Sequence, residues 1–381
     1  MTQGKQTMAL ILTIAMSAVL LTAVIIAVYW RNVECVGEIP TSFLTFMAIL
    51  FTSGLDVGLI MFPIPDFSIY ANEASYAFTN PLALEFGFWG FLVWGFYFTT
   101  IFYFCIVEPK LKLFEIPLIK WTNNIVIIGT CAFTAYLFLV YLPDYIVAIS
   151  DPLKYGLVGT VVLIAAASSS HIRYVKILSI GSTWLFFGLI FGMWWSGDMG
   201  LEGLASSMMN IGDYFYNINH YLAPITDYHQ FYLYWWFAWS IMIGQFISRF
   251  VSGLKAWQLL AALLVVPSIP IAIWFSVLYF YFDNGIDIAS IWRIAMVGVG
   301  VIFVINSLDS LMRLYTRNIG MTVERLGRLK YVASNWLIMV SLVLLYQFTP
   351  LQIEWMGLVV IAIYAVCYYL VAQRRHLLNE S

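Results

Sequence analysis

Residues 52–66 read TSGLDVGLIMFPIPD, and this stretch decides the fold. It sets Gly54, Asp56, Gly58 and Pro63 into what is otherwise one hydrophobic helix. Glycine weakens a helix and Pro63 removes a backbone donor, so amides and carbonyls near Gly54 lose their intrahelical partners. In hydrocarbon such groups must be satisfied inside protein or at a cavity. Freed carbonyls are what a sodium ion needs; the same residues would equally serve a kink that only helps packing. A carboxylate at mid-membrane costs about 3 kcal/mol even on the lenient insertion scale, which makes Asp56 a candidate site residue. Three roles are open to it: carrying a coupling proton, pairing with a cationic substrate, or capping the freed amides.

The surrounding composition makes this a membrane helix. The chain is 62% hydrophobic and 10% charged, with mean hydropathy +0.88, where soluble domains carry about 25% charge. Spans of about 20 apolar residues fall at 8–30, 43–63, 86–107, 124–142, 153–172, 178–196, 229–248, 258–281, 291–312, 331–348 and 354–373, which predicts an all-α integral membrane protein of about eleven transmembrane helices. The stretch 204–221 carries Asn210, Asp213, Asn217 and Asn219 on one face and reads as a helix lying in the interface. Eleven divides as one plus five plus five: a peripheral helix 8–30, a first repeat 41–197 and a second repeat 229–373, inverted because five is odd, within one domain 1–381. The two halves share no visible sequence similarity.

Charge orients the chain. With a cytoplasmic carboxyl end, fifteen of the eighteen basic residues, among them Arg31, Lys110, Arg249, Arg317 and Arg374, lie inside, and only Lys5, Lys154 and Arg293 outside. The outer segments carry acids such as Asp66, Glu73, Glu85, Asp198 and Glu202. This bias follows the positive-inside rule and sets the amino terminus outside, in the plasma (inner) membrane. The basic residues are used for topology, and nothing points to nucleic acid. The four cysteines show no paired spacing and read as inert thiols. The histidines lack zinc spacing, no nucleophile elbow or phosphate loop appears, and an enzyme is not expected.

Residues 235–249, WWFAWSIMIGQFISR, place Trp235, Trp236 and Trp239 in five positions. Trp235 and Trp239 share a helical face. An aromatic box for a quaternary ammonium is one reading, an interfacial belt the other. The span 88–97, FWGFLVWGFY, adds Trp89, Trp94 and Tyr97, either as ring faces toward the bundle or as packing. Residues 303–313, FVINSLDSLMR, put Asn306 and Ser307 inside an apolar run. Their oxygens suit a small hard cation, although hydrogen bonding between helices is the commoner use.

Together these four stretches resemble the betaine/carnitine/choline transporters. YWWFAWSIMIGQFISR resembles that family's Trp-rich helix, GLDVGLIMF its glycine-rich broken helix, the 89/94/97 spacing its aromatic box, and NSLDS its Thr-Ser-Ala-Asp-Ser segment. The resemblance implies the inverted-repeat (LeuT-type) fold of the sodium-coupled amino-acid transporters. It implies a substrate box of Trp89, Trp94, Tyr97 and Trp236, with Trp239 a turn further along the path. It also implies a sodium site at the carbonyls of Thr52, Leu55 and Phe303 and the side chains of Asn306 and Ser307. Asp56 stands at the middle-glycine position, Asn306 where threonine is usual, and PIPD where Glu-Pro is usual. The family's first span is missing and a homotrimer is implied by analogy. The expectation is a secondary transporter for choline, glycine betaine or carnitine, coupled to Na+ or H+, with no other cofactor. The alternatives are a carrier of the same fold for a sulfonium or an amino acid, or a channel or membrane enzyme.

Overall fold

A computed structural model describes residues 3–55 and 57–378, so Asp56 lies outside the described residues. The chain opens with α1 (Gln3–Tyr29) and β1 (Glu34–Val36). The broken span follows as α2 (Phe43–Gly54), α3 (Gly58–Met61) and α4 (Pro63–Asn72). Ser42 caps α2 by accepting from the Thr45 amide, and Pro63 takes the first position of α4, where a missing N–H is harmless. The helix therefore stops at Leu55, whose backbone is extended, and restarts at Gly58.

The next span is also interrupted, as α5 (Pro81–Trp89) and α6 (Leu92–Phe102). The expected span 86–107 thus lies within a longer one, Pro81–Leu111, with an irregularity at Gly90 and Phe91. Gly90 is extended and Phe91 has φ 40°, a conformation disfavoured for a side chain of its size. Asn80 and Pro81 start α5 a full turn earlier than its hydropathy indicates, the Asn80 side chain accepting from the Ala83 amide at 2.9 Å. A π turn at Tyr103–Val107 leads into α7 (Glu108–Leu111).

Then come α8 (Pro117–Tyr145), α9 (Asp151–Ser168), α10 (Arg173–Ser196) and the short α11 (Leu201–Asn210) and α12 (Gly212–Tyr216). The second group is α13 (Asp227–Ile247), β2 (Ser252–Lys255), α14 (Ala256–Val265) with α15 (Ser268–Asp283), α16 (Ser290–Ile319), α17 (Val323–Leu326), α18 (Arg328–Phe348) and α19 (Ile353–Gln373). The two strands pair antiparallel, Cys35 opposite Leu254.

Among the described residues, eight helices are long and apolar enough to cross a membrane. The other three expected spans are helical without reaching that length and hydropathy: α2 because of its break, α9 with 18 residues, and α13 because rings and a polar first turn (Asp227, His229, Gln230) dilute its hydropathy. The protein is an all-α, multi-pass membrane protein.

α13 lies at the centre and is buried almost throughout. Helices reach it through small residues. A Cβ on Gly357 of α19 would stand 2.5 Å from the Tyr234 carbonyl oxygen, and one on Gly244 would stand 2.3 Å from Thr100 Cβ of α6. Close backbone approach of this kind holds membrane helices together where lipid is as apolar as leucine.

Candidate functional site: an aromatic cavity at a helix break

On α13 the positions 232, 235, 236 and 239 share one face, and that face meets the break between α2 and α3. Tyr232, Trp235, Trp236 and Trp239 wall a small cavity with Phe88, Trp89, Val93 and Tyr97; Gly54 and Leu55 form its floor. The cavity measures about 20 Å³, room for one water molecule. Its rings meet edge to face: Trp89 on Trp235 at 5.3 Å, Trp89 on Tyr232 at 5.8 Å, and Phe62 on Trp89 at 5.9 Å. Such T-shaped pairs are worth about 1 kcal/mol each beyond the area they bury.

Trp89, Tyr97, Trp236 and Trp239 of the expected box are therefore brought together. Trp94 is not part of the wall. Its ring packs edge-on to Tyr97 at 5.4 Å, and both rings lie in van der Waals contact with the place a Gly54 Cβ would take. The kink at Phe91 is what separates Trp89 from Trp94. Sequence reasoning missed Tyr232 and Trp235 as wall residues, although the 232/235/236/239 spacing carried the signal.

Hydrogen bonding divides the tryptophans. The Trp236 indole donates to the Phe88 carbonyl at 2.9 Å, which fixes that ring. Among the described residues the indole N–H groups of Trp89, Trp94, Trp235 and Trp239 are buried without an acceptor. Each such group costs about 1–3 kcal/mol unless something in the site accepts from it. Tyr97 donates to the Gly54 carbonyl at 3.2 Å, so one freed carbonyl of the broken helix is already engaged.

On the other side of the break α16 supplies Phe303, Asn306 and Ser307. Ser307 donates to the Leu55 carbonyl at 3.1 Å, and the Ser53 and Ser310 hydroxyls are 3.0 Å apart. The edge of Phe303 meets Phe51, ring centres 6.3 Å apart. Thr52 turns its hydroxyl back to Ala48, and Asn306 accepts from Ser179 of α10 at 3.4 Å, leaving its own amide nitrogen unpartnered. Leu55 and Ser307 thus present oxygens to one point; Asn306 faces away toward α10.

Two further features bracket the cavity along α13. Toward its carboxyl end a vestibule of about 470 Å³ is lined by Glu38, Glu108, Lys112, Gln245, Arg249 and Arg317. Gln245 is six residues beyond Trp239, about 9 Å along the helix. Toward its amino end Asp66 and Glu85, placed in an outer segment by the sequence, are both fully buried.

The profile of the betaine/carnitine/choline transporters matches residues 128–281, from α8 to α15. An uncharacterized transporter of Haemophilus influenzae is 28% identical over 279 residues, which is 62% of this chain and 42% of that protein. The glycine betaine transporter OpuD of Bacillus subtilis is 25% identical over 284 residues, 61% of this chain and 54% of that one. The chain spans about half the length of these curated relatives. A Na+-coupled sialic acid symporter, solved substrate-bound and outward-open, aligns over 93% of this chain and 82% of its own at 14% identity, with a TM-score of 0.46. The matched residues 128–281 carry α13 and its row of tryptophans, so this part of the chain is similar to the betaine/carnitine/choline family of transporters.

Proposed function

We propose that this chain is a secondary active transporter that imports a quaternary ammonium compound of the choline, glycine betaine or carnitine type by alternating access. The observation that carries the reading is the ring-walled cavity at the helix break, built from Trp89, Tyr97, Tyr232, Trp235, Trp236 and Trp239. A trimethylammonium group has no N–H to donate, so ring faces are the side-chain surfaces that attract it most, at about 2 kcal/mol per desolvated contact. The unpartnered indole N–H groups of Trp235 and Trp239 favour a ligand that carries an acceptor, a carboxylate or hydroxyl, beside the ammonium. The name of the Bacillus relative, a glycine betaine transporter, supports the same class.

At about 20 Å³ the cavity is closed around less than the ligand, while the vestibule at Arg249 is open. The cycle then consists of parting the α13 rings from α5 and closing that vestibule in turn, the groups 41–197 and 229–373 moving as inverted repeats about the break. Trp94 sits behind Tyr97 and positions it. The coupling ion is H+ or Na+. For sodium, the carbonyls of Thr52, Leu55 and Phe303 with Asn306 and Ser307 form the site, and Asn306 must swing from Ser179 to join it. Asp56 caps the break, carries a proton or pairs with the substrate. With the carboxyl end cytoplasmic, the vestibule faces inward. The exposed Met209 and Tyr216 of α11 and α12 offer a homotrimer contact.

Titration of the purified protein with glycine betaine, choline and carnitine, followed by intrinsic tryptophan fluorescence and calorimetry, tests the substrate class. Saturable binding of at least one, with tetramethylammonium competing, is expected. Folded protein that binds none of them but binds an uncharged amino acid would move the assignment to another ligand.

A further inference from the structure

Two buried carboxylates near the outer acidic segments share one hydroxyl. The Tyr70 oxygen lies 3.1 Å from Asp66 Oδ2 and 2.7 Å from Glu85 Oε2. A phenol has one hydrogen and can donate to only one of them. The second contact is a hydrogen bond only when the other carboxyl is itself protonated and donates to the Tyr70 oxygen; otherwise two lone pairs face each other in a dry site.

The remaining donors say which carboxyl is neutral. Asp66 Oδ2 also receives the hydroxyls of Tyr228 at 2.8 Å and Tyr232 at 3.2 Å, donors that stabilise an anion. Glu85 has no other hydrogen bond, and its Oε1 is buried and unpartnered. One turn on, the Trp89 indole N–H is directed at Glu85 yet makes no hydrogen bond, and Trp89 is 6% exposed. We propose that Asp66, Tyr70 and Glu85 form a proton-binding site, with the proton on Glu85 in this conformation, that is linked to the aromatic cavity through Tyr232 and Trp89.

Among the described residues neither carboxylate has a salt-bridge partner; the described ion pairs join Asp151, Glu38 and Asp309 to Lys154, Arg249, Arg317 and Arg313. Arg293 of α16 acts on Tyr145 and makes no salt bridge to Asp66 or Glu85. The other ionisable groups around the pair are phenols, acids and His229. Tyr141, Asp144 and Tyr145 come from α8, and Tyr76 from the segment before α5. His229 of α13 stacks on Phe88 with its Nε2 unpartnered, and from α15 Tyr279 packs on Phe67 beside Asp66. Two bare carboxylates here would each carry a desolvation penalty of several kcal/mol.

The link to the cavity is short. Tyr232 donates to Asp66 and also lines the cavity, and Trp89, on the same helix as Glu85, forms the facing wall. Parting those rings disturbs the donors that hold Asp66 ionised and Glu85 neutral, so proton binding and ring opening depend on each other. As a coupling device this rests on the transport reading above; as a proton site it does not.

Infrared difference spectra of the purified full chain decide the site without any substrate. Wild type should show the carbonyl stretch of a protonated carboxylic acid, shifted in D2O, and Glu85→Gln should lose it. Asp66→Asn should keep that band at a changed position, as should Tyr70→Phe, which removes the shared hydroxyl and guards against a misfolded carboxylate variant. No band differing between wild type and Glu85→Gln would overturn the proposal. The coupling is read from glycine betaine affinity: parting the rings releases the Glu85 proton, so affinity should fall up to tenfold per unit fall in pH while one proton leaves as the ligand binds, and become independent of pH in Glu85→Gln. A flat wild-type profile with binding intact would overturn the link. Failure of all ammonium ligands to bind would sink the transport reading and leave the infrared result to judge the site.

Discussion

Buried acids at opposite ends of this bundle are treated in opposite ways. Asp309 of α16 is fully buried, and Arg313 one turn on meets both its oxygens at 3.0 and 3.1 Å while Ser168 donates to it at 2.8 Å. Both oxygens find a donor and the charge is matched. Asp66 and Glu85 are buried as deeply and have phenols in place of a cation. The first arrangement holds one charge state and ties α16 to α9. The second, on the proposal above, holds a proton in place of a cation, and a proton can leave when the packing around it changes.

The largest effect that would break this contrast is the loss of Arg313. Arg313→Met leaves a buried, uncompensated carboxylate and should destabilise the protein by about 3–5 kcal/mol, read from thermal or denaturant unfolding in detergent. Adding Asp309→Asn should recover most of that loss. A single variant as stable as wild type would make Asp309 another neutral acid and erase the difference.

Next comes the cavity wall. Trp236→Leu removes a ring face and the bond to Phe88, and should weaken ammonium binding by about 1–2 kcal/mol, a factor of roughly 5–30. Trp94→Leu, behind the wall, should matter through Tyr97 and weaken binding less. Equal losses in calorimetry would return Trp94 to the box.

Glu85→Gln should change unfolding stability by less than about 1 kcal/mol, because an amide replaces a carboxyl that is already neutral. A loss as large as that of Arg313→Met would show that Glu85 is ionised and held by a cation. The smallest effect is expected at Phe91, whose φ of 40° carries strain. Phe91→Gly removes it, and the balance of relief against lost ring contacts and added chain entropy should leave stability within about 1 kcal/mol. A larger loss would mean that the Phe91 ring, and not the kink, separates Trp89 from Trp94.

The same contrast separates what the residues made legible from what they hid. The break at 54–58, the row of tryptophans at 235–239 and the helical character after 200 were readable, because glycine, proline and helical spacing act locally. Trp89 and Tyr97 fell into the expected site, but Trp94 did not, since a non-glycine residue at positive φ between them has no sequence signature. Glu85 was read as an acid of an outer segment: the apolar run begins at Phe86, while the helix begins at Pro81 behind an Asn80 cap. Its partner Asp66, nineteen residues earlier, meets it only through tertiary packing, as does Ser179 with Asn306. The Asn80-Pro81 pair was the one local clue to the longer helix.

The central claim is that a ring-walled cavity at a helix break moves a quaternary ammonium compound. Its most direct test is uptake of labelled glycine betaine, choline and carnitine into proteoliposomes under an imposed proton or sodium gradient, with wild type and Trp236→Leu side by side. The account predicts gradient-driven accumulation of at least one of the three by wild type, reduced in Trp236→Leu. Folded protein that accumulates none under either gradient would contradict it.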